Sequence, residues 1–270
     1  MTLRLSGKSE RLVEPHREFY GQLRGQMPLL VSGRNELDEQ IDLPRDPVSF
    51  AYVLERRMNA PKDVRKAWRE NYICTGEGSI AGIKGDHLIV FDAQALREIT
   101  YKSDLYNGAL VLSVDAWQEL KEQKDKVVYL TADEVQEARG QGYVKKKGVW
   151  TPSNKSVAKV WEVLGRGRDL TSYVHLVHED SLSSNSLLNV HFNRTTKDGK
   201  STMRSWTAWA TDNFSVADGN NNLDWDKGRL VGVASVHKAL EVRVQSALEV
   251  GKAFEFNGKV YTPVADVSLK

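Results

Sequence analysis

Three short tracts constrain this chain more than any other feature: Lys84-Gly85-Asp86, Lys197-Asp198-Gly199 and Asn257-Gly258. Each sets residues that suit a tight turn between two apolar runs, the pattern that returns a strand antiparallel to its neighbour. A parallel sheet needs strand-helix-strand crossovers of a dozen residues or more, and hairpin signals outnumber such units here. The sequence therefore predicts an α+β fold: short helices with antiparallel β-hairpins, and a β-rich C-terminal part closed by a helix and a final hairpin.

The helical segments are marked by apolar residues recurring every three or four positions. Phe50, Leu54 and Met58 predict a helix entered at Pro47, and Val64, Trp68 and Tyr72 a second one between Pro61 and Thr75-Gly76. Asp92 caps a short helix through Ile99, and Asp115 to Lys121 adds a helical turn. Thr131-Ala-Asp-Glu134 reads as a capping box, in which hydroxyl and carboxylate satisfy each other's free backbone amides. Thr151-Pro152 opens a helix whose stripe is Val157, Val160, Trp161 and Leu164, and Val236, Leu240, Val244 and Leu248 step toward Gly251. Strands are predicted at Ala109 to Val114, Val127 to Leu130 and Arg229 to Ala234, and at Leu188 to Phe192 with Met203 to Thr211 returning antiparallel.

Residues 1–45 read as an irregular arm or lead-in, because the first 35 carry six basic and three acidic side chains with weak apolar periodicity. A mixed helix and hairpin region follows over 46–180, then a β-rich region with one helix over 181–270. The serine-rich tract from Ser181 to Ser186 is either a boundary between them or a surface loop of one domain. With 40% apolar residues the chain can bury a substantial core. Its longest apolar run, Phe50 to Leu54, falls far short of the ~20 residues that span a bilayer, and Met1 to Glu10 lacks a leader-like apolar stretch, so a cytoplasmic protein without a membrane partner is expected. One cysteine, Cys74, excludes an intrachain disulfide and a multi-thiolate zinc site.

A net charge of +2 is too balanced for bulk attraction to a polyanion, so any such role falls to a local patch. Arg139 to Asp169 supplies one: Arg139, Lys145, Lys146, Lys147, Lys155, Lys159, Arg166 and Arg168 against Glu162 and Asp169. Lysines and arginines displace counterions from phosphates, and Tyr143 and Trp150, which flank the triple lysine, are rings on which bases stack. Lysines at a hairpin tip also serve simply to stay solvated and discourage edge association.

Other constellations carry weaker chemistry. Gly76-Glu-Gly78-Ser-Ile-Ala81-Gly82 has dinucleotide-site spacing but lies between a predicted helix and a predicted strand, the reverse of what pyrophosphate binding needs, so it reads as a flexible turn. His175, His178 and Asp180 form a metal or general-base set, with Glu179 beside them and His191 beyond the loop. Their spacing places both imidazoles on one face only if the segment is helical. Asp218 to Asp226 offers alternate oxygens, yet Leu223 and Arg229 stand where a calcium loop needs glycine and glutamate, so a polar turn is expected. Trp206, Trp209, Phe214 and Trp225, with Arg204 and Asp212, offer ligand-binding rings, of which one of Trp206 and Trp209 turns into the core.

These features predict a non-enzymatic protein that contacts nucleic acid or an acidic partner through Lys145, Lys146, Lys147, Lys155, Arg166 and Arg168, with Tyr143 and Trp150 stacking and no cofactor. Two alternatives stand beside it: a metal-assisted hydrolase built on His175, His178 and Asp180, and a structural subunit that assembles into homo-oligomers.

Overall fold

The computed structural model describes residues 16–35, 37–180, 186–211, 214–234, 254–256 and 259–261. The chain enters as strand β1 (His16–Tyr20), helix α1 (Leu23–Ser32) and strand β2 (Arg45–Pro47), followed by α2 (Phe50–Asn59) and α3 (Lys62–Arg69). Strands β3 (Ile73–Ala81) and β4 (His87–Val90) form the hairpin expected around Lys84-Gly85-Asp86. Next come α4 (Gln94–Arg97), β5 (Leu105–Tyr106), β6 (Ala109–Val111), α5 (Ala116–Glu122), β7 (Val127–Leu130) and α6 (Ala132–Ala138). The hairpin β8 (Tyr143–Lys146) and β9 (Val149–Pro152) precedes α7 (Lys155–Gly165) and α8 (Leu170–Asp180). Strands β10 (Ser186–Leu187), β11 (Asn189–His191), β12 (Thr202–Thr211), β13 (Phe214–Asn221), β14 (Arg229–Ala234), β15 (Phe254–Phe256) and β16 (Lys259–Tyr261) complete the α+β chain.

The main sheet runs β1-β14-β3-β12-β13-β11, with β2 on β14, β4 and β7 beyond β3, and β5–β6 beside β12. Strands from both sides of the Ser181–Ser186 tract share it. Pairing is antiparallel except for β14 with β3 and β11 with β13. Met203–Thr211 was expected to return against Leu188–Phe192; instead β12 pairs with β3 and β13, and β11 lies parallel to β13. Alternation along a strand sets which side chains face each core, but it does not specify which strand is the neighbour. β15 and β16 form the final hairpin. The helix expected over Val236 to Gly251 lies outside the described residues.

Alternation along the strands feeds two cores, one on each face. Ile73, Ile89 and Val231 join Phe50, Leu54, Trp68, Val160, Trp161 and Trp206 under α2, α3, α7 and α8. Their neighbours Cys74, Val90 and Leu230 join Phe19, Met27, Leu30, Ile80 and Met203 under α1 and α4. Each fully buried large side chain contributes ~1.5–3 kcal/mol by leaving water. Among the described residues no helix is long and apolar enough to cross a membrane.

Several expectations need correction. His16 to Ser32 is not an irregular arm: Leu23, Met27 and Leu30 are buried, and β1 pairs along its length with β14. Helix α2 starts at Phe50, capped by Ser49, because Pro47 lies in β2. Thr151-Pro152 belongs to β9, and α7 is capped instead by Asn154, whose Oδ1 accepts from the Val157 amide at 2.8 Å. Gly76 and Gly78 make no turn: they lie inside β3, a strand buried along its whole length, and only Gly82, whose carbonyl accepts from the Gly85 amide, opens the β3–β4 turn. They permit close approach, since a Cβ on Gly78 would sit 3.1 Å from Ala93 Cβ and Met203 Sδ. The capping box at Thr131 and Glu134 forms as expected.

Candidate functional site

One end of the main sheet gathers aromatic side chains from separate parts of the chain. Tyr20 closes β1, opposite Arg229, the first residue of β14. Tyr72 immediately precedes β3, Trp209 lies on β12 one residue past the Ala208–Ile73 pair, and Trp225 comes from the β13–β14 loop. The register of four strands thus lines up positions far apart in sequence. Tyr72 is the hub, 5.4 Å from Trp225 at 30° and 5.9 Å from Trp209 at 57°. Its hydroxyl donates to the Lys227 carbonyl, which ties the Trp225 loop to the sheet. Tyr20 is 40% exposed and Tyr72, Trp209 and Trp225 are half-buried, so the rings form a ledge rather than a piece of core.

Beneath the ledge lies a buried charge pair. The Arg229 guanidinium sits 5.1 Å from the Tyr72 ring centroid and 5.6 Å from that of Tyr20, within cation–π range. Its Nε is 2.7 Å from Glu18 Oε1, both residues are buried, and a further nitrogen donates to Asn71 Oδ1. Burial pushes the Glu18 carboxyl up to about 7, while Arg229 pulls the other way. Asn71 joins a second buried guanidinium: Arg57 donates to the carbonyls of Trp68, Asn71 and Ala208 and to the Tyr173 hydroxyl. The backbone that carries Tyr72 is therefore clamped from both sides. A third buried arginine, Arg204, bridges three loops through Asn107, Thr195 and Asn222, and so helps hold the loop that presents Trp225.

Of the ring set read from the sequence, Trp206 is fully buried and Trp209 reaches the ledge, with a bulge between Ser205 and Thr207 separating their directions. Tyr20, Tyr72 and Arg229 were missed. Only the pairing of distant strands brings them together, and a lone tyrosine at a strand end carries no signal of its own. Asp218 to Asn221, expected in a turn, lies in β13, and only the residues after it turn.

The basic segment does not converge. Lys145, Lys146 and Lys147 are exposed at the β8–β9 tip, where Lys147 and Gly148 adopt φ of 50° and 86°. The stacking role expected of Tyr143 and Trp150 is corrected: they are 8% and 9% exposed and pack into the core under α7 and α8. Lys155 and Arg166 stand at opposite ends of α7, roughly 16 Å apart along its axis. Arg166 is committed, 3.5 Å from the buried Glu77 carboxylate and 4.1 Å from the Phe91 ring centroid. Arg168 is exposed, and Lys159 pairs with Glu134 at 2.7 Å.

His175 to Asp180 is helical, which settles the face on which positions 175 and 178 fall. His175 is exposed; the side chains of His178, Glu179 and Asp180 lie outside the described set. Among the described residues, no group of three His, Cys, Asp or Glu side chains is placed to hold a metal ion. Cys74 is buried, and desolvation raises its thiol pKa, the opposite of an activated nucleophile. Ser79 and His87 are 3.0 Å apart but both fully enclosed, so they form a structural pair rather than an accessible dyad.

No family model matches this sequence, and no curated protein matches it. A solved structure described as the accommodation of massive sequence variation in Nanoarchaeota by the C-type lectin fold is similar over 81% of this chain and 97% of its own, with a TM-score of 0.50 and 14% identity. The likeness is one of fold: the α+β architecture here resembles the C-type lectin fold.

Proposed function

We propose that this chain is a non-enzymatic binding protein that recognises a protein partner on the aromatic ledge of Tyr20, Tyr72, Trp209 and Trp225. The observation that carries this reading is the meeting of four half-exposed or exposed rings from four chain segments over a fully buried Glu18–Arg229 pair. Tyrosine, tryptophan and arginine dominate interface hot spots because they offer large, stiff contact surfaces at small entropic cost. Strand ends braced by Arg57 and Asn71 keep those rings preorganised, which lowers the cost of binding. The related solved structure is described as a fold that accommodates massive sequence variation. Such tolerance suits a frame whose buried arginines hold it together while its outer side chains serve recognition.

Panning a random peptide library against the folded protein tests this reading. Selected peptides are expected to lose binding to a Trp209→Ala/Trp225→Ala variant whose circular dichroism is unchanged. Equal binding to that variant refutes the ledge as the recognition surface. A second reading, contact with nucleic acid or an acidic partner, draws on the exposed Lys145, Lys146 and Lys147, which make no ion pair among the described residues. It predicts binding to short single-stranded DNA that weakens steeply between ~50 and ~200 mM salt and is lost when all three lysines become alanine.

A further inference from the structure

The chemistry of the partner's contact can be read from the charges around the rings, and this step rests on the ledge being the recognition surface. Trp225 is flanked by Asp224, which is half-buried, and Asp226, which is exposed and has no ion pair among the described residues. Two residues before Tyr72, Glu70 is also exposed, its carboxylate 3.9 Å from Lys66 on the same helix turn. On the cationic side, Arg229 is buried against Glu18, and Arg24 is turned away, its Nε donating to Gln22 and its guanidinium 5.2 Å from the Tyr101 ring. Lys227 is the remaining exposed cation of the Trp225 loop, and its carbonyl is already used by Tyr72.

Two rings of the ledge, Tyr72 and Tyr20, already hold a guanidinium of the chain itself. Arg229 lies 5.1 Å and 5.6 Å from the centroids of Tyr72 and Tyr20, and Trp225 packs 5.4 Å from Tyr72 as the next ring of the same ledge. Indole is the best of the aromatic partners for a cation, and a carboxylate beside it supplies the paired acceptors that match a planar guanidinium. We propose that the ledge takes an arginine side chain of its protein partner, stacked on Trp225 with the Asp226 carboxylate as its counter-charge. Lysine fits the charge but not the plane, and ranks below arginine at a stacked, bidentate site. An acidic side chain would meet Asp226 and be rejected.

Sequencing the peptides selected on the wild-type chain reads both levels at once. The proposal expects arginine to be enriched among peptides that need Trp225, with binding of those peptides about tenfold weaker to Asp226→Asn and to Trp225→Ala. A peptide whose arginine is replaced by glutamate should show no measurable binding, and one with lysine an intermediate affinity. Peptides that depend on Trp225 yet carry no excess of arginine, or bind Asp226→Asn as well as wild type, overturn the arginine assignment and leave the ledge standing. Peptides indifferent to Trp225 overturn the arginine assignment, and peptides that bind the Trp209→Ala/Trp225→Ala variant as well as wild type overturn the ledge with it. Since Trp225→Ala removes a ring tied to the loop, Trp225→Phe serves as a second variant, expected to keep the fold and recover part of the affinity.

Discussion

Acidification should act on this protein through His87 in a way that one substitution isolates. His87 is 1% exposed on β4, its Nε2 lies 3.0 Å from Ser79 Oγ, and its ring is packed edge-on against Phe192 at 4.9 Å. Desolvation, with a smaller push from Arg139, lowers its pKa from 6.5 to about 3. The unfolded chain takes up a proton below about pH 6.5 and the folded chain does not, so stability falls as pH drops, by ~1.36 kcal/mol per unit, or about 5 kcal/mol down to pH 3. Glu18 opposes this. Its pKa is raised from 4.5 to about 7, so the folded state keeps a proton that the unfolded state releases, and stability rises by about 3 kcal/mol as pH falls from 7 to 4.5. The two contributions cancel between roughly pH 6.5 and 4.5, and the His87 loss stands alone below that window. Urea unfolding of wild type and His87→Gln at pH 6.5 and 4.5 separates them, because glutamine keeps a partner for Ser79 but cannot titrate. The variant is expected to gain ~2.7 kcal/mol on wild type across that interval, whatever its offset at neutral pH. Parallel stability curves for the two proteins would refute a neutral, proton-resistant His87.

Further variants probe the frame. Arg57→Met strips the buried carbonyls of Trp68, Asn71 and Ala208 of their donor and should cost ~3–5 kcal/mol, read as a large fall in urea midpoint. Gly78→Ala forces a methyl to 3.1 Å from Ala93 and Met203 in β3 and should cost ~1–3 kcal/mol by calorimetry, unlike an alanine at the open Gly148, where the cost comes from its φ of 86°. Changing Lys145, Lys146 and Lys147 together to alanine should leave the thermal midpoint within about a degree or two of wild type, because the three are exposed.

Local signals in the sequence were legible where short-range physics decides the outcome. The capping box at Thr131, the Val157 to Leu164 stripe and the turn at Lys84-Gly85-Asp86 each encode an element within a handful of residues, and the α+β class follows from their order. Partner choice among strands was not legible, because β12 and β11 have the same alternation whichever neighbour they meet. Glycines at 76 and 78 resemble a turn until the crowding by Pro47, Ala93 and Met203 is seen. The ledge was half visible: Trp209 and Trp225 stood out as rings near polar residues, while Tyr20, Tyr72 and Arg229 become a site only through the pairing of β1, β14 and β3. Buried ions such as Glu18 and Arg57 give no warning in sequence, since a charged residue in an amphipathic segment reads as its solvated face.

Hydrogen exchange of the protein with a selected peptide bound tests the ledge most directly. Slowed exchange is expected at Tyr20 to Arg24, Asn71 to Ile73 and Asn222 to Arg229, with Tyr143 to Pro152 unchanged. Protection confined to Tyr143 to Pro152 would move recognition to the lysine hairpin and contradict the ledge.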